Sequence, residues 1–221
     1  MDPQTHLELE RASAALPLFP LPGVVFLPST LLPLHVFEPR YRKLVRDCIG
    51  SNRVLAVPLL REGWQSDYEG RPPVHEVMGV GRIVRHQDLP DGRYNLLVLG
   101  LGRARLIEEP PTDEPYRVAR VEILDDHVAP GSEERLRQTV DQLRLVSGQI
   151  MRAHPTLAPE FARVMENARG TPQLIDMLAH LVLREADERQ ACLEAEDLLT
   201  RADLVTGGLL SLFTPESSIE A

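Results

Sequence analysis

Two glycine-rich segments are the parts of this sequence that come nearest to a phosphate-binding loop. They read GVGRIV from Gly79 and GLGRAR from Gly100. The third glycine of a G-x-G-x-x-G fingerprint is replaced by Val84 and by Arg105, and strand-like sequence follows where that fingerprint would open a helix. We therefore predict that these glycines serve a bulge or a tight chain crossing in a small barrel, and that the chain uses no cofactor.

The other reactive side chains are scattered along the sequence. The seven histidines form no H-x-x-x-H pair and the two cysteines form no C-x-x-C pair, so we predict no metal site. Cys48 and Cys192 lie on apolar-periodic helical segments, which is typical of buried structural thiols. No G-x-S-x-G indicates a serine nucleophile, so a small hydrolase has no positive support. Lys43 is the only lysine and lies in YRKLV, within an amphipathic helix.

Two groups of side chains are candidates for binding. Trp64 and Tyr68 are large aromatics in a polar loop, REGWQSDYEGRPP at residues 61–73, where they either cover the end of a barrel or anchor a peptide partner. A second group consists of arginines that would form a basic stripe across neighbouring strands, which is the pattern expected of RNA contacts. These arginines are Arg82, Arg85, Arg93, Arg103 and Arg105, and the RNA alternative rests on Arg82, Arg85, Arg103 and Arg105.

Composition narrows the classes of partner. A chain of 221 residues with 43% hydrophobic and 26% charged residues is long enough for one large domain or two small ones. The formal net charge of −9 disfavours nucleic acid, because counterion release needs a surplus of basic side chains. The acidic opening MDPQTHLELE does not suit a secretory signal, and five prolines interrupt the apolar run that begins at Leu16. We therefore expect a cytoplasmic protein with no membrane partner.

The pattern of apolar residues changes once along the chain. Short buried strands are predicted at residues 16–19, 24–27 and 31–37, a helix at 38–49, and further strands up to residue 124. After Ala129-Pro130-Gly131 the apolar period changes from two to about 3.6, and helices follow. Strands first and helices after predict an α+β fold. The domains we predict are a disordered tail at 1–13, a β subdomain at 14–127, a helical subdomain at 128–213 and a disordered tail at 214–221.

The assembled pattern resembles the N-terminal domain of the Lon ATP-dependent proteases. LPLFPLPGVVFLPSTLLPLHVFEPRY from Leu16 is similar to the opening of that domain, and HEVMGVGRIVRHQDLPDGRYNLLVLGLGRARL from His75 is similar to its second hallmark. The resemblance implies a PUA-like β pseudo-barrel followed by a C-terminal α-helical bundle. It also implies a substrate-binding role, in which the partner is an unfolded or degron-bearing polypeptide or another protein.

The lysine content separates this chain from a complete Lon protease. A motor domain needs the lysine of G-K-[ST] and a Ser–Lys peptidase needs a lysine base. Lys43 follows Arg42 and has no phosphate loop around it, so we expect neither activity. The leading hypothesis is a non-catalytic, stand-alone polypeptide-binding module that uses apolar side chains in a groove and backbone pairing at an open strand edge. The alternative hypothesis is a PUA-like RNA-binding protein, which a basic face over the four arginines would favour.

Overall fold

The structure is a computed structural model that describes residues 1–68 and 70–212. The predicted tail at 214–221, and the last residue of the predicted helical subdomain, lie outside the described residues. The chain divides into two compact units, the first being Met1–Asp125 and the second beginning at Asp126. This division falls two residues before the subdomain boundary predicted between residues 127 and 128.

One mixed sheet organises the first unit. Its strands are β1 (Leu16–Leu18), β2 (Leu31–Val36), β3 (Val54–Val57), β4 (Val77–Asp88), β5 (Tyr94–Glu108) and β6 (Arg117–Leu124). The strand order is β2-β5-β4-β3-β1-β6, and a further pairing of β5 with β6 closes the sheet on itself. The 15-residue β5 makes closure possible, because residues 94–99 pair with β2 while residues 103–108 pair with β6.

Helix α1 (Pro3–Ala12) corrects the prediction of a disordered tail at residues 1–13. The Asp2 side chain caps it by accepting from the Gln4 and Thr5 amides, and Pro3 suits the first turn. Leu9 is fully buried in a cluster with the core side chains of β1, β3, β4, β5 and β6. The sequence does carry a signature of this helix, which is Asp-Pro followed by apolar residues at helical spacing. The helix was not predicted because most of its residues are polar.

The apolar run at residues 24–27 is not a strand, contrary to the prediction. Phe26 and Leu27 are buried, but they lie outside every strand. The chain turns sharply on both sides, with positive φ angles at Gly23 and Ser29. The run therefore contributes core side chains and crosses the sheet, where its backbone lies against the glycines of β4 and β5.

Helix α2 (Pro39–Ile49) was predicted almost to the residue from its apolar spacing. Its buried face carries Tyr41, Leu44, Val45 and Cys48, which pack into a second core cluster with Phe26, Val36 and Leu55. Burial raises the pKa of Cys48 to about 12, so its thiol stays protonated at neutral pH. This is the environment of the structural thiol that the sequence predicts.

The described part of the second unit is helical. Its helices are α3 (Glu133–Ala153), α4 (Ala158–Asn167), α5 (Thr171–Val182), α6 (Ala186–Glu194) and α7 (Leu198–Ser211). Helix α7 packs against α3, α5 and α6, and buries Arg201 beside Asp176 of α5. The order of strands and then helices confirms the α+β class. Within residues 1–68 and 70–212, no helix is both long and apolar enough to cross a membrane.

Candidate functional site

A cleft of about 230 Å³ opens on the surface of the first unit. Its walls come from the end of β1, the first turn of α2, the loop between β3 and β4, and the segment that enters β6. These walls bring together residues that are far apart in sequence. The lining residues are Pro20, Arg40, Tyr41, Leu60, Tyr68, Gly70, Arg71, Pro72, Glu114, Pro115, Tyr116 and Arg117.

Arg40 is the central cation of the cleft. Its guanidinium carbon lies 4.8 Å from the ring centroid of Tyr41 and 4.9 Å from that of Tyr68, so it makes cation–π contacts with both rings. Its Nη2 lies 3.0 Å from a carboxylate oxygen of Glu38, and its Nη1 donates to the Tyr68 carbonyl at 3.1 Å. The charge of Arg40 is therefore held in place and compensated before any ligand arrives.

Tyr68 is one of the two aromatics singled out from the sequence, and it lines the cleft. Its hydroxyl donates to Glu38 Oε1 at 2.5 Å. Burial and this hydrogen bond to a carboxylate raise the pKa of Tyr68 above its ordinary value. The residue is half-buried, so part of it stays accessible in the cleft.

Trp64, the other aromatic singled out, lies next to Tyr68 but outside the cleft lining. It begins the short 3₁₀ helix Trp64–Asp67, and its ring meets the Tyr68 ring edge to face with centroids 5.3 Å apart. The structure therefore brings the two predicted aromatics together and gives them different positions. Tyr68 faces the cleft, whereas Trp64 supports it from the loop.

Arg117 and Arg71 form the opposite wall. Arg117 makes a two-pronged contact with Glu109, donating from Nε at 2.8 Å and from Nη2 at 2.5 Å, and its Nη1 donates to the Pro72 carbonyl at 2.7 Å. This contact fixes the loop that carries Pro72. The Arg71 side chain is half exposed, and its Nη1 lies 3.9 Å from Glu109, so it is a loosely paired cation at the rim.

Lys43 belongs to a polar network beside the cleft. Its Nζ donates to Asp47 at 2.7 Å and lies 2.8 Å from Glu114, while the Tyr116 hydroxyl donates to the same Asp47 oxygen at 2.8 Å. The hydrogen bonds to Asp47 and Glu114 raise the pKa of Lys43 above its ordinary value. A lysine that acts as a general base needs a lowered pKa, so this environment opposes that role.

The network makes the stability of the first unit depend on pH. Burial alone would raise the pKa of Asp47, but hydrogen bonds from Lys43 and Tyr116 outweigh it and lower that pKa below its ordinary value of 3.8. A carboxyl with a lowered pKa stabilises the fold above its unfolded pKa, and the contribution is lost as the pH falls through the folded pKa. We expect Asp47→Asn to lower the melting temperature at neutral pH, with a difference that closes in acid below 3.8.

Melting curves of the two proteins from about pH 7 to about pH 3 measure that difference. Asp88→Asn is a matched control, since it makes the same change at an exposed carboxylate of β4 outside the cleft lining. A melting-temperature difference for Asp47→Asn that stays constant or widens in acid would contradict the assignment.

The four arginines of the RNA alternative do not form one exposed stripe. Arg82 pairs with Glu8 at 3.1 Å, and Arg105 donates to Glu122 at 3.1 Å. Arg103 is 1% exposed and donates to the Asp125 carbonyl, so its guanidinium is not available to a nucleic acid in this structure. Arg85 is exposed. Carboxylates therefore neutralise two of the four arginines, and the fold buries a third.

Comparison with known proteins supplies the family. Residues 15–210 match the family model described as the ATP-dependent protease La (LON) substrate-binding domain. The chain belongs to this family. It is 28% identical over 205 residues to Lon protease 2 of Myxococcus xanthus, and 30% identical over 195 residues to the Lon protease of Trichlorobacter lovleyi. These alignments cover 93% and 86% of the chain, but only 24% and 23% of the relatives.

Solved structures of Lon N-terminal domains have the same fold. The N-terminal domain of the Mycobacterium avium complex Lon protease superposes with a TM-score of 0.67 at 16% identity, covering 89% of this chain and 98% of that one. A Lon N-terminal domain protein from Xanthomonas campestris gives 0.59 at 23% identity, covering 91% and 99%. The chain thus spans about a quarter of the length of the Lon proteases that it matches, and nearly all of each N-terminal domain.

Sequence reasoning did not find most of the cleft in this Lon-family chain. The sequence placed Arg40 in a predicted helix and Tyr116 and Arg117 in a predicted strand. It gave them no role in a site, because no short motif links positions so far apart. One signal was available in the sequence, since Pro72 directly follows Arg71 of the site and Pro115 directly precedes Tyr116. Within residues 1–68 and 70–212, no group of three or more His, Cys, Asp or Glu side chains is placed to hold a metal ion.

Proposed function

We propose that this chain is a non-catalytic module that binds polypeptide segments, and that the cleft beside Arg40 is where such a segment is held. The observation that carries the proposal is the match of residues 15–210 to the Lon substrate-binding domain family. The proposed partner is an unfolded or degron-bearing polypeptide. The proposed scaffold is a PUA-like pseudo-barrel, formed by the closed sheet, followed by a helical bundle in the second unit.

The chemistry of the cleft suits an extended peptide. Prolines and tyrosines give flat apolar surfaces on which proline-rich or extended segments dock at low entropic cost. The volume of about 230 Å³ accommodates a few side chains of a peptide at a time. Because Arg40 and Arg117 are already paired with carboxylates, Arg71 is the cation that can best meet an acidic group of the ligand.

Strand β2 lies at an open edge of the sheet in the described residues, but it is poorly suited to backbone pairing. Leu31 lies opposite Leu99, and the Gly100 amide donates to the Thr30 carbonyl. By the alternation of antiparallel ladders, position 33 then directs its backbone groups away from β5. Pro33 has no N–H at that position, which is a common way of blocking an edge. We therefore place peptide binding in the cleft and not along β2.

The absence of catalysis is part of the same proposal. The chain matches only the substrate-binding part of the Lon proteases, and its single lysine is hydrogen-bonded to two carboxylates. Incubation of the purified chain with ATP and β-casein is the direct check. We expect intact casein and no release of phosphate above the level of a mock purification.

Binding is tested by the fluorescence anisotropy of labelled β-casein, an unfolded polypeptide, with melting temperature measured in parallel. Tyr68→Ala is expected to weaken binding by about 2 kcal/mol, roughly 30-fold, because it removes the aromatic wall of the cleft. Trp64→Ala is expected to have a smaller effect on affinity, since Trp64 supports Tyr68 and does not line the cleft.

Arg71→Ala tests binding separately from stability, because the Arg71 side chain is half exposed. It is expected to weaken binding with an unchanged melting temperature, and Arg46→Ala, an exposed arginine of α2 outside the cleft lining, is the matched control. If Tyr68→Ala lowers only the melting temperature, and Arg71→Ala binds as wild type does, the cleft is not the binding site.

A further inference from the structure

The second unit has a groove of its own, between α6 and α7. It encloses about 670 Å³, nearly three times the volume of the cleft in the first unit. Val182, the last residue of α5, and Leu183, which follows it, also line the groove. Leu204 of α7 lies in the wall and is 36% exposed, so it offers an apolar surface to a ligand.

The rim of this α6/α7 groove is acidic. Glu185, Asp187 and Glu188 line it from the start of α6, where Glu185 and Glu188 also accept backbone amides as a capping box. Asp203 lines it from α7 and pairs with Arg135 at 3.3 Å, so Asp187 is the acid of the rim most open to a ligand. Arg184 is the one basic side chain in the lining that the structure describes. An apolar wall with an acidic rim complements a ligand that carries apolar and basic side chains together.

Gly207 of α7 faces this groove. A Cβ atom at the neighbouring Gly208 would come within 2.8 Å of Val182 Cγ2 and 3.0 Å of Leu183 Cδ2, so internal packing accounts for that glycine. A Cβ atom at Gly207 would meet nothing within 4 Å. Glycine inside a helix costs about 1 kcal/mol relative to alanine. Packing within the described residues therefore does not require glycine at position 207, and the surface of α7 is open there to an approaching chain.

We propose that the α6/α7 groove docks an amphipathic helix of a partner protein, with leucine-like side chains against Leu204 and lysines or arginines against the acidic rim. Helices dock into apolar grooves in this way through side chains spaced at i, i+3, i+4 and i+7. The last residues of the chain itself, TPESSIEA, carry Glu216 and Glu220 and no basic residue, so they lack the charge that the rim attracts. The partner's helix therefore supplies the positive charge.

The probe for this surface is a fluorescein-labelled amphipathic helix of about 14 residues built from leucine and lysine, with a second peptide in which glutamate replaces every lysine. We expect the lysine peptide to bind and the glutamate peptide not to bind. Gly207→Phe fills the groove and is expected to weaken binding by about tenfold or more. Gly148→Phe is the matched control on α3, where a Cβ atom also has room, with Arg152 Nη1 at 3.8 Å as its nearest neighbour.

Asp187→Lys provides a second test that does not depend on groove filling. It reverses one charge of the rim at an exposed position. It is expected to weaken binding of the lysine peptide and to strengthen binding of the glutamate peptide. Equal affinity of the lysine peptide for wild type, Gly207→Phe and Asp187→Lys would overturn the proposal.

Two other possible occupants of the α6/α7 groove predict different results in these experiments. A wild-type dimer that Gly207→Phe converts to a monomer would overturn the proposal in favour of a second copy of this chain. A gain of about tenfold in probe affinity on removal of residues 213–221 would overturn it in favour of the chain's own tail.

Discussion

Gly79→Ala is expected to destabilise the first unit by about 3 kcal/mol or more, at the upper end of the cost of overpacking. A Cβ atom at this position would lie 1.8 Å from the Phe26 carbonyl oxygen and 2.8 Å from the carbonyl carbon. These are backbone atoms of the segment that crosses the sheet, so they cannot rotate away as a side chain does. The first glycine of GLGRAR is in the same situation, with Leu27 O at 2.4 Å from a Cβ atom on Gly100.

Urea unfolding followed by the fluorescence of Trp64, the single tryptophan of the chain, measures the stability of the first unit. Gly102→Ala on the neighbouring strand β5 is the matched control. The three atoms nearest to its Cβ atom would all belong to side chains, Met1 Cε and Sδ and Leu9 Cδ1, and not to the backbone. Equal loss of stability in Gly79→Ala and Gly102→Ala would show that the backbone crossing is not the reason for the glycines.

Arg201→Met is expected to destabilise the second unit by about 3–5 kcal/mol, because it leaves a buried carboxylate without its cation. Arg201 is fully buried, its Nη1 donates to Asp176 Oδ1 at 2.8 Å, and its Nη2 donates to Asp126. Coulombic attraction from both carboxylates keeps the pKa of Arg201 raised in spite of its burial, which by itself would lower it. The cation is therefore charged, and its removal takes a buried positive charge away from Asp176.

A double variant separates the value of the ion pair from the cost of an unpaired charge. Arg201→Met combined with Asp176→Leu replaces both buried charges by apolar groups, and such replacements are often neutral or stabilising. We expect it to recover most of the stability lost in Arg201→Met, as measured by urea unfolding followed by circular dichroism at the helix band. A double variant no more stable than the single one would mean that the loss comes from packing and not from charge.

Local sequence patterns predicted the elements but not the chain crossings. Helix α2 was predicted because its apolar residues recur at helical spacing, and the change of period after Pro130 predicted where the helices begin. Residues 24–27 were wrongly predicted as a strand, because apolar β-branched residues favour strands whether or not a neighbouring strand is available for pairing. Helix α1 was missed because its buried face is only two side chains wide, Leu9 and Ala12.

The glycine segments show what sequence can and cannot give. The missing third glycine argued against a nucleotide-binding loop. The predicted tight chain crossing is confirmed, since Gly79 and Gly100 contact the backbone of the crossing segment. Which segment crosses could not be predicted, because it lies about 50 residues or more upstream. Arg40 and Arg117 were missed for the same reason. Their roles depend on partners that are distant in sequence and that only the closed sheet brings near.

Site-specific photo-crosslinking tests the central claim most directly. p-Benzoylphenylalanine is placed at position 115, an exposed position in the lining of the cleft, and in a second protein at position 46, on an exposed face of α2 outside it. Each protein is irradiated with unfolded β-casein. Binding in the cleft predicts a strong crosslink from position 115, which unlabelled casein competes away, and little from position 46. Equal crosslinking from both positions, or none from position 115, would contradict the assignment of the cleft as the polypeptide-binding site.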